Sequence, residues 1–233
     1  MIGPVTEPLV LLHGFGGTHR SWDRVVAALP AERYRPVVAP DLPGHGERAA
    51  VRPITFDACV DAVLEVAPVE PFVLCGYSLG GRVAQHGAIA APARISRLVL
   101  ISASSGIRDS AERQARAAAD DALADEIEQM TPDQFAERWQ AMPVFEGTPA
   151  PLLASWRDDL ARTPPADLAA ALRGLSAGRM RVFDAPFGIP VTRVVGERDV
   201  RYRRVAGPDA IVVPGAGHGL LREAPDAVAR AIG

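Results

Sequence analysis

The sequence contains little cysteine: only Cys59 and Cys75 among its 233 residues. Two cysteines cannot form a disulfide framework, and their spacing fits no metal site. We therefore interpret both as small, buried, reduced apolar residues, and we expect neither a metal nor a cofactor. The composition, 48% hydrophobic and 23% charged, is typical of a globular protein rather than a disordered one.

Long apolar runs and an excess of basic charge are also missing. The first residues, MIGPVTEPLVLLHG, lack the charged region and apolar core of a signal peptide, and no later run approaches the roughly 18 residues of a membrane span. The net charge of −3 provides no basic surface of the kind that binds nucleic acid. We expect a cytoplasmic protein that binds neither membrane nor nucleic acid and acts as a monomer or weak homo-oligomer.

Short apolar runs bounded by glycine and proline recur along the chain. Their apolarity is continuous rather than alternating, which is typical of parallel strands covered on both faces. Helical patterns lie between them, and the alternation predicts an α/β fold with helices on both faces of a mostly parallel sheet. The strands are expected at 9–12, 36–40, 72–78, 97–102, 191–196 and 210–215, and the helices at about 21–29, 55–66, 79–91 and 222–232.

The alternation stops after Ile101 and resumes at Pro190. Helical patterns at about 110–129, 132–141 and 165–175 occupy the gap, broken by proline-containing stretches such as TPAP and TPP. An insertion of this length is too long for a plain connection, so we interpret it as a helical lid. The predicted division is a core of residues 1–103 and 188–233 with a lid of residues 104–187.

One serine lies in the sequence GYSLGGRVA, at the junction of a predicted strand and a predicted helix. Gly76, Ser78 and Gly80 fit the G-x-S-x-G pattern, in which a sharp turn exposes the serine hydroxyl and the glycines let strand and helix approach closely. The pattern alone is common by chance. Its position between strand and helix makes Ser78 a candidate nucleophile or base.

A serine hydroxyl needs a histidine to accept its proton and a carboxylate to orient that histidine. Asp199 in GERD and His218 in GAGH follow later strands, in the chain order Ser, acid, His of the α/β-hydrolase fold. Asp184 and Asp41 are rivals for the acid, but Asp184 precedes the relevant strand and Asp41 precedes the serine. His13 and His45 lie in glycine-rich loops, and each is at least as compatible with hydrogen bonding to the backbone as with catalysis.

The same fold places an oxyanion hole at backbone N–H groups. The residue after the nucleophile is Leu79, and the loop LLHGFGG after the first strand supplies Phe15 as the second candidate donor.

Arg82 follows the serine by one helical turn, on the same face. A cation near a helix N-terminus opposes the helix dipole, and a buried arginine is expected to have a carboxylate partner. That carboxylate belongs either to the protein itself or to a ligand, and both interpretations stay open here.

Several motifs together are similar to the MenH family, the 2-succinyl-6-hydroxy-2,4-cyclohexadiene-1-carboxylate synthases of menaquinone biosynthesis, from about residue 9 to the C-terminus. HGFGG, DLPGHG and GAGH are shared by α/β-hydrolases in general. GERD at 196–199 also contributes to the resemblance, and GYSLGGRVA with the lid motifs AERQ at 111–114 and MPVF at 142–145 is more selective.

The resemblance implies a lyase that eliminates pyruvate from 2-succinyl-5-enolpyruvyl-6-hydroxy-3-cyclohexene-1-carboxylate, a small polycarboxylate. It implies that Ser78, activated by His218 and Asp199, removes a ring proton. It also implies substrate contacts by five residues: Tyr77, Arg82, Arg113, Trp139 and, with an ambiguous alignment, Arg157. The alternative is a carboxylesterase or carbon-carbon bond hydrolase that acts on an acidic substrate, because the same triad supports acyl transfer.

Overall fold

The computed structural model describes residues 6–184 and 187–233. Residues 1–5 of the predicted core and 185–186 of the predicted lid lie outside this range. Within the described ranges, six strands form one sheet in the order β2-β1-β3-β4-β5-β6, and every neighbouring pair is parallel. The strands are β1 Glu7–Leu12, β2 Tyr34–Val38, β3 Phe72–Tyr77, β4 Ile95–Ile101, β5 Val191–Gly196 and β6 Ile211–Val213.

Ten α-helices connect or follow these strands in the described part of the chain. They are α1 Asp23–Ala28, α2 Phe56–Val66, α3 Leu79–Ala90, α4 Ser110–Glu128, α5 Pro132–Gln140, α6 Ala150–Leu160, α7 Pro165–Gly174, α8 Val200–Ala206, α9 Leu220–Glu223 and α10 Pro225–Ile232. None is long and apolar enough to cross a bilayer.

The alternation of strand side chains divides the core into two layers. In β1, Val10 and Leu12 belong to a cluster with α2 and α3, whereas Leu9 and Leu11 belong to a second cluster with α1 and α10. A strand that is buried on both faces needs apolar residues at consecutive positions, which explains the continuous apolar runs. The predicted α/β fold, with helices on both faces of a parallel sheet, is confirmed.

Helices α4 to α7 lie between β4 and β5 in sequence, where the helical lid is expected. They contribute Ile127, Phe135, Leu160 and Leu168 to the same cluster as α2 and α3. The insertion therefore buries its apolar residues against the sheet layer instead of forming a core of its own. The proposed limits of 104 and 187 stay a prediction.

The strand order reverses between β1 and β3, because the chain runs from β1 outward to β2 and then returns to the other side of β1. Open parallel sheets form a crevice beyond the carboxyl ends of strands at such a point. The loop after β1 carries Phe15, and the turn after β3 carries Ser78. The topology alone thus brings these two candidate residues to the same crevice.

Candidate active site

Ser78 adopts a backbone conformation that non-glycine residues rarely take, with φ of 50° and ψ of −106°. It is the N-cap of α3 and directly follows β3. A Cβ atom at Gly76 would collide with the backbone of Gly80, and one at Gly80 would collide with the carbonyl oxygen of Leu12. The glycines therefore let α3 pack close to two strands, and the strained turn presents the hydroxyl at the carboxyl edge of the sheet.

His218 connects Ser78 to Asp199. Its Nδ1 atom lies 2.7 Å from Oδ2 of Asp199, and its Nε2 atom lies 3.1 Å from Oγ of Ser78. Because an ionised carboxylate only accepts hydrogen bonds, Nδ1 is assigned as the protonated nitrogen and Nε2 as the acceptor of the serine hydroxyl. Asp199 and His218 are each only 4% exposed. The structure thus brings together the three residues of the predicted triad in a geometry that allows proton transfer from serine to histidine.

The rival residues are engaged elsewhere. Nδ1–H of His13 donates to the carbonyl of Gly14, and Nε2 of His13 accepts the N–H of Leu42 at 3.0 Å. Asp41 accepts the backbone N–H groups of His19 and Glu47. Each of these residues holds a loop and contacts neither Ser78 nor His218.

His45 and Asp184 complete the set of rivals. Burial, reinforced by the nearby His13, lowers the pKa of His45 to about 3, so this imidazole is neutral at physiological pH. Asp184 forms an exposed ion pair with Arg108.

The two candidate oxyanion donors lie on the loops that meet at the crevice. Phe15 lines the cavity, and Leu79 directly follows Ser78. Among the described residues, neither backbone N–H has a hydrogen-bond acceptor. Both are therefore available to a ligand oxygen.

A cavity of about 1740 Å³ opens above Ser78 and His218. Tyr77 and Trp139 line it, as expected, together with Phe145 of the MPVF motif. The ring of Trp139 lies 4.6 Å from that of Phe15, and the ring of Phe145 lies 5.7 Å from that of His218. The insertion thus places aromatic side chains next to Phe15 and His218.

Arg82 lines the same cavity without an internal ion pair. Its Nη1 atom donates to the carbonyl of Leu175 at 2.8 Å, and no carboxylate of the described residues is its partner. Burial lowers the pKa of Arg82 to about 10, which still leaves the guanidinium charged at neutral pH. Of the two interpretations open at the sequence level, the internal carboxylate is wrong for the described chain.

Arg157 requires a correction. It lies on α6, but its guanidinium points to α5, where it forms ion pairs with Asp133 at 3.2 Å and Glu137 at 3.0 Å. It does not line the cavity, so its predicted contact with substrate has no support in this structure. Arg113 of α4 is partly buried and also lies outside the cavity lining.

Other arginines take their place around the cavity. Besides Arg82, the lining includes three guanidinium groups that have no carboxylate partner among the described residues, namely Arg193, Arg201 and Arg204. A second set is paired: Arg108 with Asp184, Arg116 with Asp120 and Arg198 with Glu223. The carboxylates that line the cavity are exposed, apart from Asp199, whereas Arg82, Arg116 and Arg193 are partly buried. The interior of the cavity is therefore cationic.

Helix α6 contacts the loop after β1 and the segment after His218 through Asp159, which is 5% exposed. Its carboxylate accepts hydrogen bonds from the hydroxyls of Thr18 and Ser21, at 2.5 and 2.6 Å, and from Arg222 at 3.0 Å. Thr18 and Ser21 follow the loop that carries Phe15, and Arg222 follows His218 by four residues. One buried carboxylate thus joins the insertion to both loops.

Tyr202 also contacts the candidate triad, although no sequence motif pointed to it. Its ring lies 4.6 Å from that of His218, and its N–H donates to Oδ1 of Asp199 at 3.4 Å. Its place three residues after the acid, in the basic segment DVRYRR, was a usable signal. The seven-residue α8 has too few apolar positions to be detected from periodicity.

Known proteins resemble this chain in both sequence and fold. The profile of the alpha/beta hydrolase family matches residues 9–231. The 2-succinyl-6-hydroxy-2,4-cyclohexadiene-1-carboxylate synthase of Klebsiella pneumoniae is 33% identical, over 94% of this chain and 90% of that protein.

Two solved structures extend the comparison. MenH from S. aureus superposes with a TM-score of 0.85 at 28% identity, over 98% of this chain and 92% of that chain. A thermophilic esterase from Thermogutta terrifontis, with malate bound, has a TM-score of 0.77 at 24% identity, covers 99% and 89% of the two chains, and supports the fold alone. The chain therefore belongs to the alpha/beta hydrolase family and, within it, to the 2-succinyl-6-hydroxy-2,4-cyclohexadiene-1-carboxylate synthases.

Proposed function

We propose that this protein eliminates pyruvate from 2-succinyl-5-enolpyruvyl-6-hydroxy-3-cyclohexene-1-carboxylate and releases 2-succinyl-6-hydroxy-2,4-cyclohexadiene-1-carboxylate. The observation that carries the proposal is the Arg82 guanidinium, which lines the same cavity as Ser78 and has no carboxylate partner among the described residues. The triad is common to many α/β-hydrolases, but a partly buried, unpaired cation favours a ligand with a carboxylate at that position.

The reaction begins with removal of the ring proton on the carbon that bears the succinyl group. Oγ of Ser78 takes this proton while its own proton passes to Nε2 of His218, and Asp199 stabilises the resulting imidazolium. The electrons of the broken C–H bond form a new ring double bond, the existing double bond shifts, and the bond from the ring to the enolpyruvyl oxygen breaks. The enolate of pyruvate leaves and takes up a proton at its terminal carbon, which balances the proton that His218 gives up as the triad is restored, so no covalent enzyme intermediate is needed.

Negative charge develops on the succinyl ketone oxygen as the proton leaves. The free N–H groups of Phe15 and Leu79 supply two donors for this oxygen. Removal of one such donor in an enzyme typically lowers the rate by 10²- to 10³-fold, about 3 to 4 kcal/mol. This preorganised pair lets a serine, which is a weak base in water, abstract a carbon-bound proton.

Trp139 adds a polar contact within an aromatic wall. Its Nε1–H has no hydrogen-bond acceptor among the described residues, although the atom is buried. A buried donor without a partner is unfavourable by about 1 to 3 kcal/mol, and a substrate oxygen would satisfy it. We assign Trp139, Tyr77 and Arg82 to substrate binding.

The test is pyruvate release from the enzymatically generated pathway intermediate, measured in parallel with hydrolysis of a simple aryl ester. We expect rapid pyruvate formation with little ester cleavage, and loss of pyruvate formation in Ser78→Ala. Arg82→Ala should raise the KM of the intermediate but leave residual ester cleavage unchanged. Arg157→Ala is the matched control, because that arginine lies outside the cavity.

The opposite result supports the alternative function. Ester turnover without pyruvate would identify a hydrolase whose arginines bind another acidic substrate. The cytoplasmic location and the monomeric or weakly oligomeric state stay predictions of the sequence, and sedimentation velocity measures the second.

A further inference from the structure

Glu223 holds the segment that carries the catalytic histidine. Its Oε2 atom accepts the N–H of Gly217 at 2.8 Å, and its Oε1 atom accepts the N–H of Gly219 at 3.1 Å. These two residues flank His218 directly. The side chain of Glu223 is only 5% exposed. One buried carboxylate therefore accepts hydrogen bonds from the backbone on both sides of His218.

Arg198 connects this carboxylate to the segment that carries the acid. Its Nη2 atom donates to Oε2 of Glu223 at 2.6 Å, and its Nε atom donates to the carbonyl of Gly215 at 2.9 Å. The backbone N–H of Arg198 also donates to the carbonyl of Ala216 at 2.8 Å. Arg198 directly precedes Asp199. The loop that carries Asp199 and the loop that carries His218 are therefore joined by hydrogen bonds at the residues next to the two side chains.

We propose that Glu223 and Arg198 are positioning residues that hold His218 in reach of both Asp199 and Ser78. Neither residue takes part in the proton transfer. Their effect is geometric, because a misplacement of about 1 Å at a reacting group can lower a rate by about 100-fold. Charge-assisted hydrogen bonds are well suited to this role, since they are shorter and stronger than neutral ones. The inference rests on the proposed function in one respect: the first of its two assays uses the substrate of that function.

The competing explanation is that Glu223 simply completes the N-terminus of the short helix α9, where Gly219 is the N-cap. In that case its removal would lower stability and leave turnover of the folded enzyme unchanged. A positioning role predicts a lower kcat in the folded variant, whereas a purely structural role predicts an unchanged kcat. The measurement that separates them is therefore kcat and not the melting temperature.

The main experiment compares Glu223→Gln and Glu223→Ala with the unaltered enzyme. We expect kcat for pyruvate release to fall about 10- to 100-fold in Glu223→Ala while KM stays within about twofold. Glu223→Gln should lie between, because its amide keeps one acceptor oxygen and loses the charge that binds Arg198.

A second assay does not depend on the substrate. An alkyl fluorophosphonate labels Ser78 when Oγ attacks phosphorus, fluoride leaves, and His218 accepts the hydroxyl proton. The labelling rate should fall by the same factor as kcat. If the unaltered enzyme is labelled but forms no pyruvate, the proposed function fails, and the positioning role is judged from the labelling rates alone.

Glu197→Gln is the matched control. Oε2 of Glu197 accepts the N–H of Gly215 at 2.8 Å, so this carboxylate binds the same loop but does not flank His218. It should change kcat and labelling less than about twofold. Comparable losses in Glu197→Gln and Glu223→Gln would overturn the specific role of Glu223.

Arg198→Lys keeps the test valid if Glu223→Ala does not fold. A lysine retains the charge but cannot bind Glu223 and the carbonyl of Gly215 with one planar group. We expect an intermediate loss of kcat, and the double variant Arg198→Lys/Glu223→Gln should lose less than the product of the two single effects. Unchanged kcat and labelling rates in the folded single variants would refute the proposal.

Discussion

Nε2 of His218 lies 3.1 Å from Oγ of Ser78, although 140 residues separate them in the chain. The topology explains this contact, because β3 and β6 are parallel members of one sheet and each residue lies beyond the carboxyl end of its strand. The contact therefore depends on where the backbone holds the two residues and not on a long, flexible side chain.

The Asp199→Asn variant tests the proton-transfer geometry. An amide can donate to Nδ1 and thereby favour the wrong histidine tautomer, which leaves Nε2 protonated and unable to accept the proton of Ser78. We expect kcat for pyruvate release to fall by about 10³- to 10⁴-fold with a melting temperature within a few degrees of the unaltered protein. Near-normal turnover would remove Asp199 from the triad.

Arg82→Met should weaken substrate binding without unfolding the protein. The guanidinium has no internal carboxylate, so its replacement leaves no unpaired buried charge in the described chain. A lost charged hydrogen bond of about 1.5 to 3 kcal/mol corresponds to a 10- to 100-fold higher KM.

The control for this variant is Arg157→Met, which loses only exposed ion pairs with Asp133 and Glu137. Exposed pairs of this kind contribute about 0 to 1 kcal/mol, so KM should not change. An equal rise of KM in both variants would contradict the assignment of Arg82.

Two glycines of α3 should respond in opposite ways to alanine. A Cβ atom at Gly80 would collide with the carbonyl oxygens of Leu12 and His13, whereas one at Gly87 would make an ordinary contact with Leu74 at 3.4 Å. Gly80→Ala should therefore destabilise the fold by several kcal/mol or prevent folding. Gly87→Ala should raise stability by up to about 1 kcal/mol, because alanine favours the helix.

Urea unfolding measures both effects. If Gly80→Ala were as stable as the parent, the close approach of α3 to β1 would not be required for folding.

Acid should destabilise the protein through its buried histidine His45. Its pKa is lowered to about 3 by burial and by His13, from an ordinary value of 6.5. Between these values the unfolded chain binds a proton that the folded chain does not, so stability falls as the pH decreases from 6.5 towards 3. The slope contributed by one such group approaches about 1.4 kcal/mol per pH unit.

Unfolding of His45→Gln between pH 4 and pH 8 checks this prediction. The variant should show a smaller decrease in the free energy of unfolding on acidification than the unaltered protein. Identical slopes would show that the pKa of His45 is not lowered in the folded state.

Strand positions could be predicted because apolar runs buried on both faces have a distinctive composition. The run at 9–12 falls within β1, and the run at 191–196 coincides with β5. Helices were harder to locate where proline occurs. The stretch TPAP predicts a break between helices, yet Pro151 lies in the first turn of α6, where a missing N–H costs nothing.

The helix expected at 222–232 is divided in the structure for a related reason. Pro225 starts α10 after α9 has ended at Glu223, because proline cannot donate the hydrogen bond that would continue α9.

The positions of the candidate triad at strand ends could be predicted, whereas two of the predicted lid contacts, Arg113 and Arg157, lie outside the cavity lining. Ser78, Asp199 and His218 follow strands, and strand ends are fixed by the sheet. The direction of Arg157 depends instead on how α6 packs against α5, which no local pattern encodes. Likewise, the rule that a buried arginine is paired left open whether the carboxylate for Arg82 belongs to the protein or to a ligand, and only the structure shows that its hydrogen-bond partner in the described chain is the carbonyl oxygen of Leu175.

Asp159 gives the insertion one fixed anchor. To swing α6 away from the sheet, the protein would have to separate this carboxylate from Thr18, Ser21 and Arg222 together. Separation would break two hydroxyl hydrogen bonds and one ion pair of a buried carboxylate at the same time. The insertion is therefore attached to the core at Asp159 as well as at its two ends.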